Sequence, residues 1–326
     1  MSASVSKHDI SSPAVSHMDP ERLLHGQLLL PTDGSVSADG AVALVAAQCR
    51  QGPSHLEVLA VFEPAPMPVP SVDPSLAAMT TMASDEVLRE EFFARVDRQV
   101  GRAFAGLPSV TVQRAEGSPV RVIVDAAQRS QAGLIITGLR VHTLLDRLVG
   151  DETALRVTRA TDRPVFAVAT ALTNLPSRGV VGIDFSRASL RAAHAAAGLL
   201  VDGGTLTLLH ARPTLDAAVA AEDGLDVPYA RGVTAALDGL RTAITSARPN
   251  ITVHVERRDG EPAEAVLNFA IADKAEFVAV GRHRRNAISH AILGSVATTL
   301  LRKAQLSVLV LPPMKEDGRK QQQAGG

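Results

Sequence analysis

The chain writes one plan twice, and this repeat limits its fold more than any other feature. QLLLPTDGS at residues 27–35 returns as GVVGIDFS at 179–186: an apolar run, an Asp, then a serine two positions on. HLEVLAVFEP (55–64) is answered by TLTLLHARP (205–213), and SVTVQRAEGSP (109–119) by ITVHVERRDGEP (251–262). AGLIITG (132–138) returns as AEFVAVG (275–281), and RPVFAVA (163–169) as LSVLVLP (306–312). Five runs kept in order over about 145 residues make a repeat of domain size. Asp33 and Asp184 are 151 residues apart, but Gly138 and Gly281 only 143. The first copy therefore holds extra residues, which fall around PAPMPVPSVDPSLAAMTTMAS (64–84). Its Met and Pro content suits a mobile lid or partner contact, and the plain expectation is a long loop.

Helical patterns lie between the apolar runs. SLRAAHAAAGLLV (189–201) spaces apolar residues by three and four, with Ser186 or Ser189 placed to cap its start. PAEAVLNFAIADKA opens with Pro262, suited to a first helical turn, and GVTAALDGLRTAITSA (232–247) reads as a further helix. Each half alternates strand and helix through five strands. The strands are nearly continuous Val, Ile, Leu and Ala, as expected where helices cover both faces of a parallel sheet. The predicted fold class is α/β, with two doubly wound five-stranded parallel-sheet domains at 25–172 and 178–313. The link TNLPSR (173–178) is short enough to keep them neighbours, and 1–24 and 314–326 read as flexible tails.

Composition removes several function classes. A formal net charge of -1 gives no global attraction to nucleic acid or anionic lipid. The single cysteine, Cys49, rules out an intramolecular disulfide and a Cys-based metal centre, and its apolar helical setting suits a buried thiol. His210, His283 and His290 show no tight ligand spacing, so no metal site is expected. No apolar stretch reaches the roughly 18 residues of a membrane span. Residues 1–22 lack a secretory apolar core, so a cytoplasmic location is expected.

Ligands of open parallel sheets gather beyond the C-terminal ends of the strands. In the second half Asp184 follows the first strand, His210 and Ala211 end the second, and Gly281 ends the fourth. Then come Arg282, His283, Arg284 and Arg285, which add donors and positive charge for a phosphate, and Gly294-Ser295-Val296 opens the last helix. A strand-end glycine leaves room for a ligand, and a Gly-Ser helix start offers unpaired backbone N–H groups to phosphate. Asp184 suits a ribose hydroxyl, and Ala211 the face of a base. Each feature also has a bland reading: a turn and cap, solvated arginines, an Asp satisfying its own loop.

These stretches resemble the universal stress protein family in its tandem form. Gly281, then twelve residues, then Gly294-Ser295 match the outer frame of its G-x2-G-x9-G-[ST] pattern, with Arg284 at the second glycine. Ile183-Asp184-Phe185-Ser186 and Thr32-Asp33-Gly34-Ser35 resemble its opening V-D-x-S. Gly260-Glu261-Pro262 and Gly117-Ser118-Pro119 resemble its G-[ED]-P. The resemblance implies strand order 3-2-1-4-5 and a dimer-like join through the last strands, here residues 165–169 and 307–311 of one chain. It also implies ATP, with Mg²⁺ as its companion. The adenosine would meet Asp184 and Ala211. The ribose and phosphates would meet Gly281, His283, Arg284, Gly294, Ser295 and Val296. The first half keeps Gly138, but Val141 replaces the second glycine, and Gly150 comes one residue early, before Asp151-Glu152. Acid at a helix start repels phosphate, which makes that half a structural or protein-binding partner. The expected function is a stress response with regulatory ATP binding in the second half and no catalytic residue. The alternatives are an interaction module with an unidentified protein partner and a slow ATPase. Further homo-oligomerisation is left open.

Overall fold

The structure, a computed structural model, describes residues 20–52, 54–64, 74–140, 153–213, 226–282 and 293–313. The first half holds β1 (Gln27–Pro31), α1 (Asp39–Gln51), β2 (His55–Phe62), α2 (Pro74–Ala103), β3 (Val112–Glu116), α3 (Pro119–Arg129), β4 (Leu134–Leu139), α4 (Thr153–Ala160) and β5 (Val165–Ala169). The second holds β6 (Arg178–Gly182), α5 (Arg187–Leu199), β7 (Thr205–Arg212), α6 (Asp226–Ala247), β8 (Thr252–Asp259), α7 (Pro262–Ala272), β9 (Phe277–Gly281), α8 (Ser295–Lys303) and β10 (Ser307–Leu311).

The ten strands make one sheet in the order β3-β2-β1-β4-β5-β10-β9-β6-β7-β8. Each half thus has the order 3-2-1-4-5, and all its neighbours pair in parallel. The halves meet through β5 and β10, which pair antiparallel with Leu309 opposite Phe166. Those two residues hold the same place in the repeat, so an approximate two-fold axis passes between them. Both joining strands are buried along their whole length, which requires apolar residues on both faces.

Helices α1, α2, α5 and α6 cover one face, sharing an apolar core that runs across both halves. Within it the rings of Phe166 and Phe277 meet edge to face, 5.9 Å between centroids. On the other face, Leu139, Ala154 and Leu155 of the first half pack in one cluster with Leu293, Leu300 and Leu301 of the second. The link between halves is fastened at its end. The carboxylate of Glu276 accepts hydrogen bonds from the Ser177 and Arg178 backbone N–H groups, at 2.6 and 2.9 Å.

Two expectations are corrected. Residues 20–24 were assigned to a flexible tail, but Pro20–His25 forms a 3-10 helix with Leu23 and Leu24 buried. The segment packs against α5 of the other half, where two adjacent leucines lose their water contact. The insertion read as a long loop is helical from Pro74, the start of the 30-residue α2. Proline at the first helical position lacks only an N–H that would have had no intrahelical partner.

Candidate functional site

The strands β6, β7 and β9 end together, and the predicted site starts from the turn after β6. Asp184 is exposed, and its Oδ1 accepts the Ser186 backbone N–H at 2.9 Å. Asp33 does the same for Ser35, also at 2.9 Å, so each Asp closes its own turn. Ser186 is the cap of α5, its Oγ accepting the Ser189 N–H at 3.1 Å; Ser189 is instead buried, its hydroxyl turned back to the Ser186 carbonyl.

The residue between Asp and Ser differs between halves. Gly34 has φ +71°, and a side chain there would meet Arg95 and the backbone of Val96 in α2. Phe185 has φ +60°, a conformation costly for a bulky residue, and its ring lies 5.0 Å from that of His210. His210 is pinned at both nitrogens. Nδ1–H donates to the Ile183 carbonyl at 2.7 Å, and Nε2 takes the Tyr229 hydroxyl at 2.8 Å. Sequence reasoning missed both features, although a phenylalanine at the position of Gly34 was a visible signal for the first.

Ala211 alternates with His210 and faces the layer of α7 and α8, where it packs on their apolar cluster. Gly281 stands at the end of β9, but the space beside it is not open. A Cβ there would overlap the Ala188 carbonyl carbon and the Ser189 nitrogen at the start of α5. Gly138 meets the Ser37 carbonyl and Ala38 in the same way. The strand-end glycine is thus needed for close approach of a helix start, and the expected ligand room is taken by backbone.

Arg282 departs most from expectation. It was counted among the donors for phosphate, but it is buried and its Nη1 donates to the carbonyls of Thr158 and Thr161, at 2.6 and 2.9 Å. Those carbonyls end α4 of the first half, where a cation also meets the negative end of the helix dipole. The guanidinium therefore holds the two halves together at the very root of the loop. His283, Arg284, Arg285 and His290 lie outside the described residues.

At the far side of that loop, α8 starts with Gly294 in extended conformation (ψ 154°) and no side-chain cap. Ser295 is exposed and Val296 half-buried. Because α8 runs back against the strands, its start lies at the same sheet end as Asp184, Ala211 and Gly281. In the first half this place is a cavity of about 260 Å³ lined by Thr32, Asp33, Thr137, Gly138, Arg140 and Thr153. That is smaller than the roughly 300–1,000 Å³ of most small-molecule clefts. Val141 and Gly150-Asp151-Glu152 lie outside the described residues. Among the described residues, no group of three His, Cys, Asp or Glu side chains is placed to hold a metal ion, and no helix is long and apolar enough to cross a membrane.

The profile of the universal stress protein family matches residues 26–169 and again 178–312. A universal stress protein of Mycobacterium tuberculosis is 32% identical over 136 residues, covering 40% of this chain and 93% of that protein. One from Methanocaldococcus jannaschii is 30% identical over 67 residues, which are 21% of this chain and only 39% of that relative. Among solved structures, a universal stress protein from Archaeoglobus fulgidus superposes with a TM-score of 0.60 at 21% identity, over 91% of this chain and 100% of the other. A protein of unknown function from Pseudomonas aeruginosa gives 0.55 at 21% identity, over 90% and 95%.

Proposed function

The chain belongs to the universal stress protein family, and from that premise we propose that its second half binds ATP as a regulatory ligand. The family's general role in the stress response applies to the whole chain. The observation that carries the nucleotide reading is the start of α8. Gly294-Ser295-Val296 opens a nine-residue helix whose first-turn N–H groups have no side-chain cap, at the sheet end where open α/β folds take ligands. Those N–H groups and the Ser295 hydroxyl would take phosphate oxygens, with His283 and Arg284 adding donors from the loop. Asp184 would accept from a ribose hydroxyl and Ala211 would bound the adenosine, while Gly281 would serve the ribose and phosphate side by letting α5 pack close at the strand end. Mg²⁺ would neutralise the phosphate charge. The first half would be a partner rather than a second site, consistent with its small cavity.

Binding rather than hydrolysis fits these residues. His210 has both ring nitrogens engaged, and Asp184 already closes its turn. Neither is a ready general base. Calorimetric titration with ATP·Mg²⁺ should give one site per chain, abolished by Gly294→Asp and unchanged by Gly150→Asp. A silent titration of purified, nucleotide-free protein would replace this reading with an interaction module working through protein contacts.

A further inference from the structure

On the opposite face of the second half, a groove of about 810 Å³ opens between α6 and the edge strands β7 and β8. It lies on the α6 side of the sheet, away from Ala211 and the start of α8. Among the described residues, Arg212, Arg231, Arg257 and Arg258 line it against Asp238 and Asp259. Several of these charges are already answered. Arg212 pairs with Asp259 at 3.1 Å, and Asp238 with Arg241 at 3.1 Å. Arg258 pairs with Glu256 at 2.7 Å and lies over the Phe269 ring. Arg231 and Arg257 have no carboxylate partner among the described residues. The Arg257 guanidinium is nonetheless held in place, its Nη1 donating to the Ala230 carbonyl at 3.2 Å.

Between them the groove presents Tyr229, 41% exposed, which is unusual for a ring on a helix packed against a sheet. Its hydroxyl is fixed by His210 and its ring lies 5.4 Å from the Arg212 guanidinium. Phe185 in its strained conformation supports the other side of His210. The aromatic wall is therefore rigid before anything binds.

The repeat supplies an internal control. In the first half the same place, between α2 and β3, is a groove of about 540 Å³. Arg114 occupies the β3 position of Arg257, and Glu116 that of Asp259, as the strand registers show. There the charges close on one another: Arg114 with Asp97 at 2.6 Å, and Arg89 with Glu116 at 3.0 Å and with Glu86. One fold thus carries two equivalent grooves, and among the described residues the first pairs both of its arginines with carboxylates while the second leaves Arg231 and Arg257 without one.

We propose that the α6 groove is a second ligand site, for a small phosphate-bearing dianion gripped by Arg231 and Arg257 against Tyr229. Guanidinium forks match phosphate oxygens, two such cations balance a dianion, and the volume is that of a small-molecule cleft. A concave site with its free charge on two residues suits such a ligand better than an extended acidic peptide. The proposal does not rest on nucleotide binding at α8.

The chain supplies its own reporter, since Tyr229 is the single tyrosine and there is no tryptophan. Inorganic pyrophosphate, added without magnesium at about pH 6, where it is chiefly the dianion, and at constant ionic strength, should give a saturable change in tyrosine emission. The change should persist in Gly294→Asp, and Arg231→Ala with Arg257→Ala should weaken it at least tenfold. Arg231→Ala alone, at an exposed position, keeps the test decisive if the double variant loses helix by circular dichroism; it should weaken binding severalfold. No saturable change, a change undiminished by Arg231→Ala, or its loss in Gly294→Asp would each overturn the site. So would a hexaglutamate peptide that binds the same groove more tightly than pyrophosphate.

Discussion

Replacing Arg282 with methionine should destabilise the whole chain, although the residue belongs to neither half's own core. Methionine keeps most of the buried stem and removes the guanidinium. What is lost is two charge-assisted bonds, to the Thr158 and Thr161 carbonyls at 2.6 and 2.9 Å. Hydrogen bonds to charged groups contribute about 1.5–3 kcal/mol each, and a favourable helix-terminus charge roughly another 0.3–1. Those figures are already net of desolvation, and because both bonds leave the same Nη1 they do not add in full. The net expectation is a loss of about 2–4 kcal/mol. Urea unfolding provides the assay, followed by far-ultraviolet circular dichroism for the chain and by Tyr229 emission for the second half. Both probes should shift to lower urea together, because the lost bonds tie one half to the other. Arg282→Lys, which keeps the charge with fewer donors, should fall between the two. A shift below about 0.5 kcal/mol would mean that water replaces the guanidinium at no cost, and the bond would not be a fastener.

Gly281→Ala and Gly138→Ala should each cost about 1–3 kcal/mol in urea unfolding of nucleotide-free protein, since in both halves a Cβ would push into the backbone of a helix start. Equal stability of either variant and wild type would show that the glycine serves the ligand alone. Leu309→Asp places an unpaired carboxylate at a fully buried position opposite Phe166, and the midpoint of unfolding should fall by the equivalent of at least about 3 kcal/mol. Unchanged unfolding would refute the join between β5 and β10. Burial pushes the Cys49 thiol above its ordinary value of 9.0, an effect larger than the opposing influence of the nearby Ser54 hydroxyl and Arg50 charge. The thiolate fraction at pH 8 is therefore lower in the folded chain than in the unfolded one, and iodoacetamide should label Cys49 more slowly in buffer than in urea. Equal rates would place that thiol in water.

How far the sequence could be read depended on whether a signal was local. Pro262 marked a helix start correctly because the first turn tolerates a missing N–H wherever it occurs. Pro74 carried the same signal, but the proline-rich residues before it masked the helix that follows. Ser186 and Ser189 were equivalent as caps on paper. Only packing separated them, by burying Ser189 beneath the turn. Arg282 stood in a basic run, and nothing near it in the chain hinted at partners more than a hundred residues earlier. In the first half the residue after the strand glycine is Leu139, so the repeat gave no warning either.

By itself the sequence determined the two-fold plan, the α/β class and the residues that end each strand, because periodicity and turn chemistry act over a few neighbours. Tertiary structure decided which side of the sheet each strand-end residue serves. Strands buried on both faces are apolar throughout, so their sequence carries no record of which face is which. Only assembly sends Ala211 toward the start of α8 and His210 toward Tyr229, fills the space at Gly281 with a helix, and turns one arginine of a basic run inward to bind the other half.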